Sequence, residues 1–154
     1  MGGNKGVKVG ALIAAEDKRK HLEFVQSAIG RMATASAVVK GWALTLAVAA
    51  YGYAATQDSL SVVLLGILAV LLFAGVDARY LREERRYRLL FEGVRTGSVD
   101  GYEMRAGPYC ASLDRSQQRH YSWPRVISSW SVRDYYGAMV LAGVVILVWL
   151  ICRR

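Results

Sequence analysis

The chain contains three long windows without a charged residue, and each of them is predominantly apolar. The windows cover residues 41–57, 59–76 and 135–152. A helix rises about 1.5 Å per residue, so each window would be roughly 26 to 27 Å long, close to the ~30 Å hydrocarbon core of a bilayer. A chain of 154 residues has too few others to surround three such helices with a soluble shell. The pattern predicts an all-α integral membrane protein with three transmembrane helices.

The first two windows are separated only by the short polar stretch Thr56-Gln57-Asp58-Ser59. Backbone groups inside a bilayer must be bonded internally, so a chain reverses only where water reaches it. The stretch therefore predicts the turn of a helical hairpin. We assign the first span to residues 40–57, the turn and second span to 58–76, and the third span with its basic end to 135–154.

The segment before the hairpin has the period of an amphipathic helix. Residues 1–17 are Gly-rich, basic and aperiodic, which predicts a mobile basic start. In residues 18–39 the apolar positions recur at helical spacing, opposite charged and polar positions. This stripe consists of Leu22, Val25, Ile29, Met32 and Val39. We expect an N-terminal amphipathic helix that lies at the membrane surface or packs on a cytoplasmic partner.

The second span is predicted to continue as a cytoplasmic helix over residues 77–96. This segment is rich in helix formers and has no Pro, and Thr96-Gly97-Ser98 should end the helix. Its apolar residues follow a heptad-like spacing, which indicates an interaction seam. The seam consists of Tyr80, Tyr87, Leu90, Phe91 and Val94. The two flanking helices would pack on each other or on neighbouring copies.

Residues 97–134 are predicted to form a cytoplasmic loop followed by an interfacial helix. The stretch 97–125 is polar with scattered Gly, Pro and Ser, and we expect irregular structure there with a small β element around Tyr102 to Leu113. Residues 125–134 would form the interfacial helix that leads into the third span. Aromatic and basic side chains are typical anchors at the headgroup level. The predicted anchors are Trp42, Trp123, Trp130, Tyr135, Tyr136, Arg153 and Arg154.

The distribution of basic residues predicts the orientation. Residues 1–40 hold seven Lys or Arg and residues 77–134 hold eleven Arg, whereas the hairpin turn holds none. The positive-inside rule therefore places the N-terminus and residues 77–134 in the cytoplasm. The net charge of +8 reads as a topology signal. Nucleic-acid binding is not expected, because the arginines are interleaved with Glu and Asp.

Lys40 and Asp77 should lie at the same depth, because the hairpin turns near residues 57 and 58. An opposite-charge pair at the inner mouth of the hairpin would be held by the low dielectric near the interface. We predict a structural ion pair. Two other interpretations remain open: Lys40 could extend to the interface by itself, or the pair could have a gating role.

No constellation in the sequence indicates catalysis, a cofactor or a metal site. Cys110, Asp114 and His120 are the nucleophile, acid and base types that lie closest together, but their spacing matches no catalytic motif. Neither the cysteines nor the histidines have the spacing of metal ligands. The spans lack the midplane ionisable groups of a transporter, so a pore would have to be built by several copies.

The stretch HLEFVQSAIGRMATASAVVKGWALTLAVAAYGYAA, followed by GVDARYLREERRYRLLFEGVR, resembles a family of small bacterial inner-membrane proteins. The shared pattern is a helix, Arg-Met, Lys-Gly-Trp, a span, a short turn, a second span and Asp-x-x-Tyr-Leu-Arg-x-Glu-Arg. It falls here on Arg31-Met32, Lys40-Gly41-Trp42 and Asp77 to Arg85. The resemblance implies the bacterial inner membrane and no assigned chemistry.

The layout is also similar in architecture to the two-span SLATT-type effectors of bacterial conflict systems, from which the third span departs. Those effectors are thought to assemble into membrane-disrupting pores. We therefore expect a non-enzymatic protein of the lipid bilayer that forms a homo-oligomer and perturbs the membrane when its cytoplasmic part is triggered. The alternative is a membrane adaptor that docks a cytosolic protein partner, an enzyme, on the Tyr80–Val94 seam.

Overall fold

Every regular element in the described part of the chain is a helix. The computed structural model describes residues 3–99 and 103–153, with the side chains of residues 3–11 and of His120 outside that description. The elements are α1 (Gly3–Gln57), α2 (Leu60–Thr96), α3 (Ala106–Ser112), α4 (Arg115–Gln118), a 3-10 turn (Arg119–Tyr121), α5 (Trp123–Ile127) and α6 (Trp130–Arg153). The predicted all-α class is confirmed.

Three of these helices are long and apolar enough to cross a membrane. They are the part of α1 from Leu12 to Gln57, the whole of α2, and α6. Their outward faces carry large exposed apolar side chains, such as Leu65, Leu141 and Val48. A surface of this kind on three neighbouring helices suits lipid rather than water. These findings indicate a membrane protein, with three candidate spanning helices where the charge-free windows predicted them.

The hairpin turn is shorter than the polar stretch in the sequence. Thr56 and Gln57 are the last residues of α1, so only Asp58 and Ser59 connect α1 to α2. Asp58 has a positive φ of 48°, a conformation that Asp tolerates better than most residues. The amide of Ser59 donates to the carbonyl oxygen of Ala54 at 3.2 Å, which satisfies one of the last carbonyl groups of α1.

The helix α1 is continuous, which differs from two expectations. Residues 3–17, predicted as a mobile start, are helical. Residues 18–39, predicted as a separate amphipathic helix, belong to the same continuous helix α1. The segment has several glycines but no proline. Because adding a residue to an existing helix costs little compared with nucleating one, the long helix extends through this weak segment.

The three long helices form a bundle in which α2 packs on both α1 and α6. The core of the bundle is built from buried residues of all three helices, and α1 contributes three alanines and one tyrosine. It comprises Ala43, Ala47, Tyr51, Ala54, Val63, Val70, Val132, Tyr136, Met139 and Leu150. Tyr51 fills the space between Gly66 and Gly143, where added methyl groups would lie 2.8 and 2.6 Å from its side chain.

A second core lies beyond the bundle, on the Lys40 side. Val25 of α1 packs there on Leu90 and Val94 of α2 and on Ala106 of α3. The helix α2 runs without a break from the first core into the second and ends at Thr96, before the left-handed Gly97. The two flanking segments therefore pack on each other, as one of the two expected arrangements required.

The segment after α2 differs from its prediction. The small β element expected around residues 102–113 is wrong, since 106–112 form the helix α3; Tyr102 lies outside the described residues. Pro108 falls in the first turn of α3, where its missing N–H costs no hydrogen bond. The interfacial helix expected over 125–134 is divided, because α5 ends at Ile127 and Trp130 already belongs to α6.

Candidate functional site

A buried polar cluster lies where α1 and α2 leave the bundle core. Nζ of Lys40 is 2.6 Å from Oδ2 of Asp77 and also donates to Oγ of Ser36 at 2.9 Å. The hydroxyl of Ser36 donates to Oδ1 of Asp77. Asp77 is completely buried, whereas the Lys40 side chain is 21% exposed. The structure thus brings together the two residues that the hairpin depth argument paired.

Two tyrosines of α6 close the cluster from the third helix. The hydroxyl of Tyr135 donates to the carbonyl oxygen of Lys40 at 3.1 Å. The buried hydroxyl of Tyr136 interacts electrostatically with Asp77. Their rings meet edge to face, with centroids 5.3 Å apart. All three long helices therefore contribute to one cluster at one depth.

The local sequence explains how the cluster forms. Ser36 and Lys40 are four residues apart on α1, so both side chains lie on the same face of the helix. That face also carries Ala43 and Ala47, whose small side chains let α2 approach. A fully buried carboxylate is stable only when it is paired and hydrogen-bonded. The cluster therefore fixes the register of the three helices.

Most of the predicted interaction seam is covered by the chain itself. Tyr87, Leu90, Phe91 and Val94 belong to the second core and contact α1 and α3, whereas Tyr80 is 38% exposed. Two polar contacts join the same elements. Nζ of Lys18 donates to the carbonyl oxygen of Arg95 at 3.0 Å, and Nε2 of His21 lies 3.0 Å from that of Glu103.

The predicted interfacial anchors lie in different environments. Trp42 and Trp130 are 60% and 76% exposed, and Trp123 stacks under the guanidinium of Arg82 at 4.8 Å. Tyr135 is half-buried and Tyr136 is buried in the cluster, so Tyr136 does not present its ring to lipid headgroups.

The last helix returns to the hairpin end. A guanidinium nitrogen of Arg153 lies 4.0 Å from Oδ1 of Asp58, and the same group covers the ring of Trp149 at 5.1 Å. The C-terminal end of α6 and the hairpin turn are therefore neighbours. The predicted anchor Arg154 lies outside the described residues.

Cys110 and Asp114 each have structural contacts of their own. Cys110 is buried, and burial raises the pKa of its thiol, which is unfavourable for a nucleophile. The carboxylate of Asp114 caps α4 by accepting from the amide of Arg115 at 2.9 Å. The side chain of His120 lies outside the description. Among the side chains that the structure describes, no group of three from His, Cys, Asp or Glu could hold a metal ion.

Sequence reasoning missed Ser36 and Tyr121. Ser36 could have been found, since it lies one helical turn before Lys40 on the same face. Tyr121 carried no such signal: its hydroxyl donates to the carbonyl oxygen of Cys110 at 2.8 Å and so joins the 3-10 turn to α3. Burial raises the pKa of the Tyr121 hydroxyl, which keeps it a hydrogen-bond donor.

Comparison of the chain with protein families, with curated proteins and with solved structures finds no match.

Proposed function

We propose that this chain is a non-enzymatic protein of the bacterial inner membrane that self-associates and perturbs the membrane, as a pore-forming effector triggered through its cytoplasmic part. Its N-terminus and residues 77–134 lie in the cytoplasm in this proposal, because these segments carry nearly all of the basic residues. The hairpin turn and the end of α6, which are neighbours, lie on the opposite side.

A stripe of small residues on the outer face of α1 carries the proposal. Gly41, Thr45, Ala49 and Gly52 follow each other at helical spacing and are all exposed. They lie opposite the face that carries Ala43, Ala47 and Tyr51 into the core. The hydroxyl of Thr45 donates to the carbonyl oxygen of Gly41 at 3.0 Å, so the stripe presents an apolar surface on which a second helix can pack closely.

The two kinds of glycine in the spans support this interpretation. Gly66 and Gly143 are required by the fold of one chain, because added methyl groups would collide with Tyr51. Nothing lies within 4 Å of a methyl group placed at Gly41 or Gly52. Glycine weakens a helix by about 1 kcal/mol relative to alanine, and at these two positions, which share one face with Thr45 and Ala49, it leaves room for a partner helix.

The architecture supports a pore between copies rather than through one chain. The core of the bundle is filled by large side chains, including Tyr51, Val70 and Met139. The trigger is supported by the continuity of α1 and α2, which run without a break from the second core into the bundle. A displacement at the second core would therefore move the spans directly.

The test is the mass of the particle formed by the full chain in a mild detergent and in lipid nanodiscs. We expect a defined oligomer for the natural sequence and a shift to monomer when Gly41 and Gly52 are both replaced by leucine. Leu46→Val and Tyr53→Leu, combined as a control, change exposed positions outside the stripe and should leave the mass unchanged. A monomer of the natural sequence under both conditions would contradict self-association.

Growth of the expressing bacterium separates the effector from the adaptor. A pore-forming effector should arrest growth when it is overexpressed, and the Gly41→Leu/Gly52→Leu variant should relieve the arrest. An adaptor would be harmless. The adaptor is less well supported by the geometry, since its proposed docking seam is mostly packed against α1 and α3.

A further inference from the structure

An open groove lies between the extension of α2 and the link from α5 to α6. Its volume is about 600 Å³, and its lining comprises Arg85, Arg88, Leu89, Arg125, Ser128, Ser129 and Trp130. Three of the seven lining residues are arginines, and none is acidic. A groove with this lining is complementary to an anion that also has an apolar part.

The contacts of the arginines show how the positive charge is arranged. A guanidinium nitrogen of Arg85 donates to the carbonyl oxygen of Arg125 at 3.5 Å, which joins the two walls of the groove. Arg88 forms an ion pair with Glu84, and the distance from Nη2 of Arg88 to Oε1 of Glu84 is 2.6 Å. That carboxylate offsets part of the charge of Arg88, and Arg85 and Arg125 add two further cations to the groove.

The groove lies at the outer edge of the headgroup layer. Lys40 and Asp77 lie at the end of the apolar spans, and Tyr135 reaches the carbonyl of Lys40 at the same level. Trp130 precedes Tyr135 by about one and a half helical turns, or roughly 8 Å along the axis. The polar layer of a bilayer leaflet extends about 5 to 8 Å beyond the hydrocarbon core. Trp130 therefore lies at the outer edge of this layer. Arg85, eight residues after Asp77 on α2, lies roughly 12 Å beyond Asp77 along the helix axis, and its long side chain can extend back toward the phosphates.

Trp130 provides the apolar surface of the groove. It is the most exposed large apolar residue of the described chain, at 76%, and indole rings favour the boundary between acyl chains and headgroups. A lipid whose phosphate contacts Arg85 and Arg125 would lay its glycerol backbone against this ring. A free inorganic anion would leave Trp130 unused.

We propose that this groove binds the phosphate of an anionic phospholipid and so anchors the extension of α2 to the membrane surface. Basic pockets between membrane helices are typical sites for anionic headgroups. The proposal does not depend on self-association or on pore formation, because it concerns one chain and its own lipid contact.

The experiment measures binding of phosphatidylglycerol to the purified full chain in detergent by native mass spectrometry, with phosphatidylcholine as the zwitterionic reference. The groove variant is Arg85→Gln/Arg125→Gln. The control is Arg115→Gln/Arg119→Gln, which removes the same charge from exposed positions outside the groove. A third sample adds inorganic phosphate at matched ionic strength to test a free anion as the ligand.

We expect the natural sequence to bind phosphatidylglycerol more tightly than phosphatidylcholine. The groove variant should lose about 25-fold in affinity, since each arginine contributes about fivefold, or about 1 kcal/mol. The control should lose less than about twofold. Arg125→Gln alone, an exposed position that does not threaten the fold, should lose about fivefold.

Three results would overturn the proposal. They are unchanged binding by the groove variant and by Arg125→Gln, an equal loss in the control, and equal binding of the two lipids by the natural sequence. Displacement of phosphatidylglycerol by inorganic phosphate would show that a free anion is the ligand, and this would also overturn the assignment to lipid.

Discussion

Lys40 of α1 and Asp77 of α2 form an ion pair across the helical hairpin, with Nζ 2.6 Å from Oδ2. The carboxylate is fully buried and the ammonium side chain is mostly buried. The pair lies at the level where α6 joins, through Tyr135 and Tyr136. This relationship divides the molecule into an apolar bundle on one side and a charged, helical extension on the other.

Charge reversal at Asp77 should strongly destabilise the fold. Asp77→Lys places two cations together in a buried site, and breaking a buried pair typically costs about 3–5 kcal/mol. The double variant Lys40→Asp/Asp77→Lys restores an opposite-charge pair and should recover more than half of the loss. The measurement is unfolding in detergent followed by circular dichroism.

The exposed ion pair of Arg133 and Asp134 is the control for the substitutions at Lys40 and Asp77. Their side chains are 68% and 57% exposed, and exposed pairs contribute about 0–1 kcal/mol. Asp134→Lys should therefore change stability by less than about 1 kcal/mol. If the double variant at Lys40 and Asp77 is no more stable than Asp77→Lys, the pair does not hold the hairpin.

The glycines of α6 should respond in opposite ways to the same substitution. A methyl group at Gly143 would lie 2.6 Å from the Tyr51 hydroxyl oxygen and 2.7 Å from Cγ1 of Ile67. Gly143→Ala should destabilise the bundle by about 1–3 kcal/mol, because both neighbours would have to move. Unfolding in the same detergent measures the effect.

Gly137 provides a matched control on the same helix. Nothing lies within 4 Å of a methyl group added there, and alanine is the better helix former by about 1 kcal/mol. Gly137→Ala should thus be neutral or stabilising. Equal effects at the two positions would mean that the close approach around Tyr51 is not a feature of the folded protein.

The membrane spans and the depth of the ion pair could be predicted because both follow from local pattern. A charge-free window of bilayer length needs no knowledge of tertiary contacts. Once the turn is located near Asp58, equal distance from it places Lys40 beside Asp77. The position of Ser36 follows from helical spacing in the same way, although the sequence analysis did not use it.

The remaining features depend on long-range packing, which a single sequence does not show. Nothing in the sequence near Tyr121 indicates that its hydroxyl donates to the carbonyl oxygen of Cys110. The segment around Pro108 and Gly107 has weak helical propensity, yet α3 forms there because Ala106 and Tyr109 pack on the second core. Tyr136 was predicted as an anchor because buried and interfacial aromatics look alike in sequence.

Cys110 should react slowly with alkylating reagents in the folded chain. Its thiol is buried, and burial raises its pKa, so little thiolate forms near pH 8. In a Cys152→Ser background, alkylation by iodoacetamide should be at least about 100-fold slower in the folded than in the unfolded chain. The pKa of the Cys110 thiol is higher in the folded than in the unfolded chain, so the folded chain holds the proton more tightly. The resulting contribution to stability is present below about pH 8.5, the usual pKa of the unfolded thiol, and is lost as the pH rises further.

Tyr121→Phe should accelerate this reaction. The substitution removes the hydrogen bond to the carbonyl oxygen of Cys110, worth about 1 kcal/mol, and should raise the alkylation rate about fivefold by loosening α3. Tyr109→Phe is the control, since the contact of its hydroxyl in the described structure is a long one, 3.4 Å from Ser98 Oγ at an exposed position. Fast alkylation of the natural chain would show that Cys110 is accessible.

The proposed orientation predicts which segments a membrane-impermeant reagent can reach. In a background of Cys110→Ala and Cys152→Ser, a cysteine at exposed Gln57 should react with an impermeant maleimide in intact cells. A cysteine at exposed Ser116 of α4 should react only after the cells are broken. The physical reason is the asymmetry of basic residues, which are absent from the turn and numerous beyond Asp77. Because Arg153 lies beside Asp58, a cysteine at position 152 should behave like the one at Gln57. Labelling of Ser116→Cys in intact cells would show that the orientation is the reverse of the one proposed. It would also contradict a trigger in the cytoplasm.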